Sequence, residues 1–348
     1  MDKTVWSCGL GKKRMISRRQ VVIALGAGAL APFAYLAPLA SFAQPRKVWR
    51  IGFLLAFEPS YYTLWIDAFK AGMSALGYAE GRDYVIELRS YHSDSARLPA
   101  LAAELVALKI DMIVSTSTGS ALAASKATRE IPILTTNAGD PVGNGLAASL
   151  RRPGGNVTGL TSLSAELYTK RLDLLRQLLP RMRRVGFLYN PDPKSQIDAL
   201  NLARFEADCG KLQLQPIRAP ARNAEEIASA FKILARDKVQ GLIVTTGSTN
   251  SNSQARIIEL AAKQRLPAVY ARRDWAEAGG LLSYAPDYSD LWRRAAAYAD
   301  KIFKGAKPGD LPIQQPTLFE FVLNMKTAKA LGLKIPGSIL VQATRVIE

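Results

Sequence analysis

Ile51-Gly52-Phe53-Leu54-Leu55 and Val185-Gly186-Phe187-Leu188-Tyr189 are one short apolar strand written twice, each with glycine in second place. In the first half the strand leads into a helical window over 64–76, a strand over 84–88, a helix over 98–108, the strand 111–115 and the apolar run 131–134. In the second half 194–209, 212–217, 224–235, 241–245 and 266–270 take the matching places. Short apolar runs separated by amphipathic windows are the pattern of parallel strands covered on both faces by helices. The expected fold class is therefore α/β: two Rossmann-like lobes joined by a hinge of several strands. Open α/β sheets take their ligands at the carboxyl ends of the strands, so the expected site is the cleft between the lobes.

The chain order predicts more than one crossing between these lobes. Turn-formers crowd Asp140-Pro141-Val142-Gly143-Asn144-Gly145 and 152–159, and the first crossing is placed near 160–163. A helix over 165–179 then opens the second lobe, with Tyr168, Leu172, Leu175 and Leu179 at helical spacing and Pro180 as the stop. A strand over 279–284 heads back, a helix over 291–304 packs on the first lobe, and an extended 311–316 crosses again. Residues 319–323 and a helix over 326–331 finish on the second lobe. The lobes are expected at 44–160 plus 283–310, and at 161–282 plus 311–348. Several crossings restrict motion to opening and closing.

Residues 1–43 read as an export leader: Lys12, Lys13, Arg14, Arg18 and Arg19, an apolar run over 21–39, then Ser41-Phe42-Ala43. Ser17-Arg18-Arg19-Gln20-Val21-Val22 resembles a twin-arginine signal, which carries folded proteins to the periplasm. Cleavage near Ala43 is expected. A retained anchor is the alternative, since the run is nearly long enough to span a bilayer, but Gly26, Gly28, Pro32 and Pro38 make it a poor permanent span. Six Lys or Arg and one Asp lie in this leader, so of the 46 basic and 29 acidic residues 40 and 28 remain, leaving about +12. These charges are scattered over amphipathic helices rather than gathered in one block, so no nucleic-acid partner is expected. Cys209 would be the only cysteine left, which excludes an intrachain disulfide.

Chemistry finds little support. His92 is the single histidine, in the turn-like Tyr91-His92-Ser93-Asp94, with no cysteine or acidic cluster at metal-ligand spacing. No G-x-S-x-G elbow, P-loop or strand-linked G-x-G-x-x-G is present, so hydrolase, nucleotide and dehydrogenase chemistry are unsupported, and neither metal nor cofactor is expected. Sugar-responsive repressors share a bilobed plan but need a DNA-reading helix-turn-helix where this chain has its leader.

Gly139-Asp140-Pro141-Val142, Arg152-Pro153-Gly154-Gly155-Asn156-Val157-Thr158-Gly159, Glu277-Ala278-Gly279-Gly280-Leu281 with Ser283-Tyr284, and Lys326-Thr327-Ala328-Lys329-Ala330-Leu331-Gly332-Leu333 before Ile335-Pro336 together resemble a known family. It is that of the exported ABC-transporter substrate-binding proteins related to the tryptophan-type binding protein, with the type I periplasmic binding fold. The resemblance covers essentially all of the chain after the leader. It implies a non-enzymatic monomer that captures a small-molecule solute and delivers it to an inner-membrane ABC permease. A ligand-sensing module that signals to a membrane receptor without transport is the alternative.

Candidate contacts lie at the strand ends. Thr116, Ser117 and Thr118 stand between a strand and a helix start, where hydroxyls and free amides suit an anion; plain N-capping is the other reading. Asn137 and Asp140 follow the next strand, and Asp140 alternatively braces its Asp-Pro turn. Phe57 and Tyr61 in the first lobe, with Tyr189 and Asn190 in the second, place aromatic rings at the cleft mouth, and Tyr284 lies near the second crossing. Arg272, Arg273 and Asp274 read as a solvated, ion-paired loop. Where the resemblance implies an acidic residue after strand 241–245, this chain has Thr246, Gly247 and Ser248. Ser248 can hydrogen-bond but cannot pair with an ammonium, so a polar, neutral or anionic solute is as well served as an amino acid.

Overall fold

The computed structural model describes residues 47–348 apart from 163 and 192–195, and the side chains of 164, 165, 196–198 and 248 are likewise outside the description. The leader expected over 1–43 and the start of the helix expected from Lys194 fall outside the described residues.

Alternation of strand and helix builds the first sheet. Its elements are β1 (Trp49–Leu55), α1 (Thr63–Ala75), β2 (Tyr84–Ser90), α2 (Leu98–Ala107), β3 (Met112–Ser115), α3 (Thr118–Ala127), β4 (Ile133–Ala138) and β5 (Val157–Thr161). The strands lie in the order β2-β1-β3-β4-β5 and every pairing is parallel. The second sheet follows from α4 (Ser164–Leu178), β6 (Arg184–Tyr189), α5 (Gln196–Lys211), β7 (Gln215–Pro220), α6 (Ala224–Arg236), β8 (Gly241–Val244), α7 (Ser248–Asn252), α8 (Gln254–Lys263), β9 (Ala268–Tyr270), α9 (Arg273–Glu277) and β10 (Leu282–Pro286). The chain then returns to the first sheet as α10 (Tyr288–Phe303) and comes back as β11 (Phe319–Asn324), α11 (Met325–Ala330), α12 (Gly337–Gln342) and β12 (Arg345–Ile347). The second order is β12-β11-β10-β9-β8-β6-β7, parallel except where β11 runs against β10.

The paired glycines of the two opening strands serve one purpose. A Cβ at Gly52 would stand 2.5 Å from Ile110 and 2.8 Å from Leu105, and one at Gly186 would overlap Leu234. Each glycine therefore lets a covering helix, α2 or α6, press directly on its sheet. On the opposite face of the first sheet, Phe53 meets Phe69 of α1 edge-on at 5.4 Å and Trp292 of α10 at 5.7 Å. A helix late in the chain thus completes the core that the first strand begins. In the second lobe Phe187 stacks on Phe205 at 4.5 Å and meets Tyr168 at 5.3 Å.

Three crossings run side by side. β5 leads through Ser162 to α4, and β10 leads through Asp287 to α10. The stretch 311–318 then leads to β11, held on β5 by Gln314 N–H to Gly159 O (2.9 Å) and Thr161 N–H to Gln314 O (3.0 Å). Asp287 N–H reaches Leu318 O at 2.9 Å, tying the second crossing to the third.

Several boundaries differ from the sequence expectation for identifiable reasons. The strand expected from 279 starts at Leu282, because Gly279 is left-handed (φ +108) and turns the chain first. The polar stretch after β8 and the basic one after β9 form short helices, α7 and α9. α12 and β12 were not anticipated: six and three residues are too short for a periodicity to register. No helix among the described residues is long and apolar enough to cross a membrane.

One buried carboxylate ties α4 to α5. Asp208 accepts from the Thr169 hydroxyl, from Arg204 Nε (3.1 Å) and from Lys211 Nζ (3.1 Å). Burial pushes its pKa up, but the Thr169, Lys211 and Arg204 bonds outweigh it and hold the carboxyl below its usual 3.8. A depressed folded-state pKa contributes stability above the unfolded value, and that contribution is lost as pH falls through the folded one. Asp208→Asn is therefore expected to cost about 1–2 kcal/mol at pH 7 and to flatten the acid limb below about pH 4, as read from urea titrations across pH.

Candidate functional site

The cleft wall of the first lobe is built at the ends of β1, β3 and β4. After β1 the chain turns through Phe57 and Tyr61, whose ring centroids are 4.5 Å apart. Tyr61 also meets Tyr62 (5.1 Å) and Trp65 (5.6 Å), and Trp65 meets Tyr288 at the start of α10 (5.4 Å). The Tyr61 hydroxyl is buried with no hydrogen-bond partner.

The hydroxyls singled out after β3 are turned toward protein. Thr116 Oγ1 donates to Leu54 O at 3.1 Å, and Thr118 Oγ1 accepts from Gly139 N–H at 2.9 Å. Ser117 caps α3 in a reciprocal box with Ser120 and lies 3.1 Å from the Tyr91 hydroxyl. Ser117→Ala is accordingly expected to lower stability by about 1 kcal/mol, measurable by urea unfolding. What the strand–helix junction leaves for a guest is the amides of Thr118 and Gly119, which have no intrahelical acceptor and carry the positive end of the helix. Asn137, near the end of β4, is partly exposed and its side-chain amide has no protein partner among the described residues. Asp140 is exposed and its Oδ1 accepts from Gly143 N–H at 2.9 Å, bracing the Asp-Pro turn.

The facing wall is smaller. Tyr189 ends β6, buried against Phe187 at 5.9 Å. Asn190 donates to Thr249 Oγ1 at 3.3 Å, Thr246 is exposed, and Gly247 precedes α7; the Ser248 side chain lies outside the described residues. Asn250, which the sequence did not single out, is buried and holds the ends of β6 and β8 together through Leu188 O (3.2 Å) and Thr245 O (3.2 Å). Tyr284 sits at the second crossing, stacked on Phe319 at 5.7 Å.

The predicted residues thus gather into a cluster on each lobe, and the lobes meet through a residue read differently from sequence. The Arg272 guanidinium lies 4.4 Å from the Tyr61 ring centroid and 5.7 Å from that of Trp65, reaching from β9 in the second lobe to the aromatic wall of the first. Its ion pair with Asp274 forms as expected (Nε to Oδ1, 2.9 Å), but the side chain is only 13% exposed and is not a solvated loop. The signal available in sequence was its position directly after a buried strand. At the outer rim a groove of about 270 Å³ separates His92, Ser93 and Asp94 from Asn223, Thr249 and Asn252. His92 is left-handed (φ +48), as befits a turn, and its Nδ1 lies 2.7 Å from Glu58 Oε1. Among the described residues no group of three His, Cys, Asp or Glu side chains is placed to hold a metal.

Two like-built lobes meet at the carboxyl ends of their sheets, with free helix amides on one wall. The sequence model of the ABC transporter substrate binding protein family matches residues 58–347. The chain belongs to this family. A tyrosine-binding protein of Clostridioides difficile (strain R20291) is 29% identical over 261 residues, which is 74% of this chain and 73% of that protein. Among solved structures, a conserved domain protein of Vibrio cholerae matches with a TM-score of 0.80 and 27% identity, covering 86% of this chain and all of the other. An ABC domain from Streptococcus pneumonia in complex with L-Trp matches with a TM-score of 0.79 and 26% identity, again over 86% of this chain and all of that one. This substrate-binding protein has the two mostly parallel sheets of the type I periplasmic architecture, and its family binds solutes rather than transforming them.

Proposed function

We propose that this protein is the periplasmic component of an ABC importer. It captures a small polar solute between its lobes and presents the closed form to an inner-membrane permease, acting as a monomer without cofactor. One observation carries the reading: Arg272 of the second lobe is seated on Tyr61 and Trp65 of the first, where the carboxyl ends of both sheets face each other. A solute bridging this gap favours closure by the difference in its affinity for the closed and open states. The names of the relatives, one for tyrosine and one solved with L-Trp, support a small-molecule guest. The candidate contacts are the Thr118 and Gly119 amides, Asn137, Phe57 and Tyr61 on one side, with Tyr189, Asn190, Thr246 and Gly247 on the other and Tyr284 at the hinge.

A thermal-shift screen of the purified protein against amino acids, carboxylates, nucleosides and sugars tests it. A solute at a hundred times its Kd adds about 2.7 kcal/mol to folding stability, so a true ligand raises Tm in proportion to the logarithm of its concentration. No stabilisation by any of the four classes would contradict the reading.

A further inference from the structure

The hinge side of the cleft holds a second arginine, and it lacks a protein counter-charge. Arg171, on α4, is only 2% exposed and ranks among the largest fully buried side chains. Its Nε donates to Tyr284 O at 2.9 Å, and its guanidinium carbon lies 5.0 Å from the Tyr168 ring centroid. It also hydrogen-bonds Tyr168, but among the described residues it forms no ion pair. The side chains within electrostatic reach of it are the neutral phenols of Tyr168, Tyr288 and Tyr284. Tyr288, on the first lobe's α10, lies within electrostatic reach of both Arg171 and Arg272. Burial pushes the guanidinium's pKa down, and the neighbouring phenols, with a hydrogen bond to Tyr168, only partly offset it, as expected for a cation out of water without a counter-ion.

A charge buried without compensation is costly and calls for an explanation. Holding α4 to β10 and meeting the Tyr168 side chain are tasks a neutral donor could perform, so neither accounts for the charge. Two carboxylates near the Arg272 wall are paired with other cations, Asp274 with Arg272 and Glu320 with Arg273, and neither reaches Arg171. Arg171 therefore offers a buried positive charge without a protein counter-ion. The α3 amides add to the same bias.

We propose that Arg171 is a specificity-determining residue that selects a carboxylate-bearing anionic solute, whose head group supplies the missing counter-charge as the lobes close. This rests on the solute-receptor reading above and names the chemical class of its guest. The planar fork of an arginine pairs with a carboxylate through two parallel hydrogen bonds, which distinguishes an acid from its neutral amide.

The test compares wild type, Arg171→Gln and Arg171→Lys by thermal shift and calorimetry. The probes are benzoate, phenylacetate and succinate beside benzamide, phenylacetamide and succinamide, with L-tyrosine and a panel of sugars and nucleosides. At least one acid is expected to stabilise wild type while its amide does not. Arg171→Gln is expected to weaken that acid about 100-fold, and Arg171→Lys about 10-fold with the preference for acid over amide retained. Should the glutamine variant not fold, the lysine variant carries the test, and unchanged acid affinity in it overturns the proposal. Equal binding of acids and amides by wild type overturns it too, as does a lowered Tm in the variants with acid binding intact. Binding confined to L-tyrosine, sugars or nucleosides removes the anionic role from Arg171 and leaves the receptor reading standing. No binding by any probe counts against that reading itself.

Discussion

Gly159→Ala is expected to cost at least about 3 kcal/mol of folding stability, or to abolish soluble protein, because two independent penalties fall on one methyl group. Gly159 has φ +125, a conformation that L side chains rarely adopt, and a Cβ there would drive into the Thr135 carbonyl oxygen and stand 2.8 Å from Leu134. The neighbouring backbone of β4 cannot recede without breaking its pairing with β5. The same residue's carbonyl accepts from Gln314, so the strain reaches the third crossing as well as the edge of the first sheet. Thermal unfolding followed by circular dichroism checks this. A Tm within about 2 °C of wild type would show that the hinge strand tolerates the change.

Arg272→Ala is expected to have the largest effect on closure. The guanidinium spans the cleft to Tyr61 and Trp65 while its other edge is held by Asp274. A cation over an aromatic face, shielded from water, is worth about 2 kcal/mol, and its loss shifts the balance of open and closed forms by about 30-fold. Solute affinity should fall by a similar factor if binding requires the closed form. Small-angle X-ray scattering of the variant should give a larger radius of gyration than wild type without solute. Tyr61→Ala should reproduce both effects, since it removes the other half of the contact.

The architecture was legible from sequence where a local pattern determines it. The duplicated strand with glycine in second place announced both sheets, because a buried parallel strand must be apolar and a helix pressing on it leaves no room for a Cβ at Gly52 or Gly186. Chain order and turn residues point to several crossings, the second expected at 279–284, whereas the strand there stays in the second sheet through Pro286 and the chain turns back at Asp287. Short elements such as α7, α9 and α12 were not, since five or six residues complete barely more than a helical turn.

The site was less legible, for a different physical reason. Whether Ser117 and Thr118 offer hydroxyls to a guest depends on what else they can bond, and Ser120, Tyr91 and Gly139 claim them from places no spacing rule identifies. Arg272 read as a solvated ion pair because its aromatic partners belong to the other lobe. Arg171 passed as one of many scattered basic residues. Its clue is its register: it follows Tyr168 by three positions and precedes Leu172 and Leu175, so it lies beside the apolar stripe of α4, where an arginine is rarely buried without a counter-ion.

A crystal structure of the protein grown with the solute that most raises its melting temperature tests the central claim most directly. That solute is expected in the cleft, touching the first-lobe wall between the α3 amides and Tyr61 and at least one residue of the second lobe. A solute seated outside the cleft, or held by one lobe while the other stands clear of it, would contradict a mechanism in which two lobes grip a guest between them.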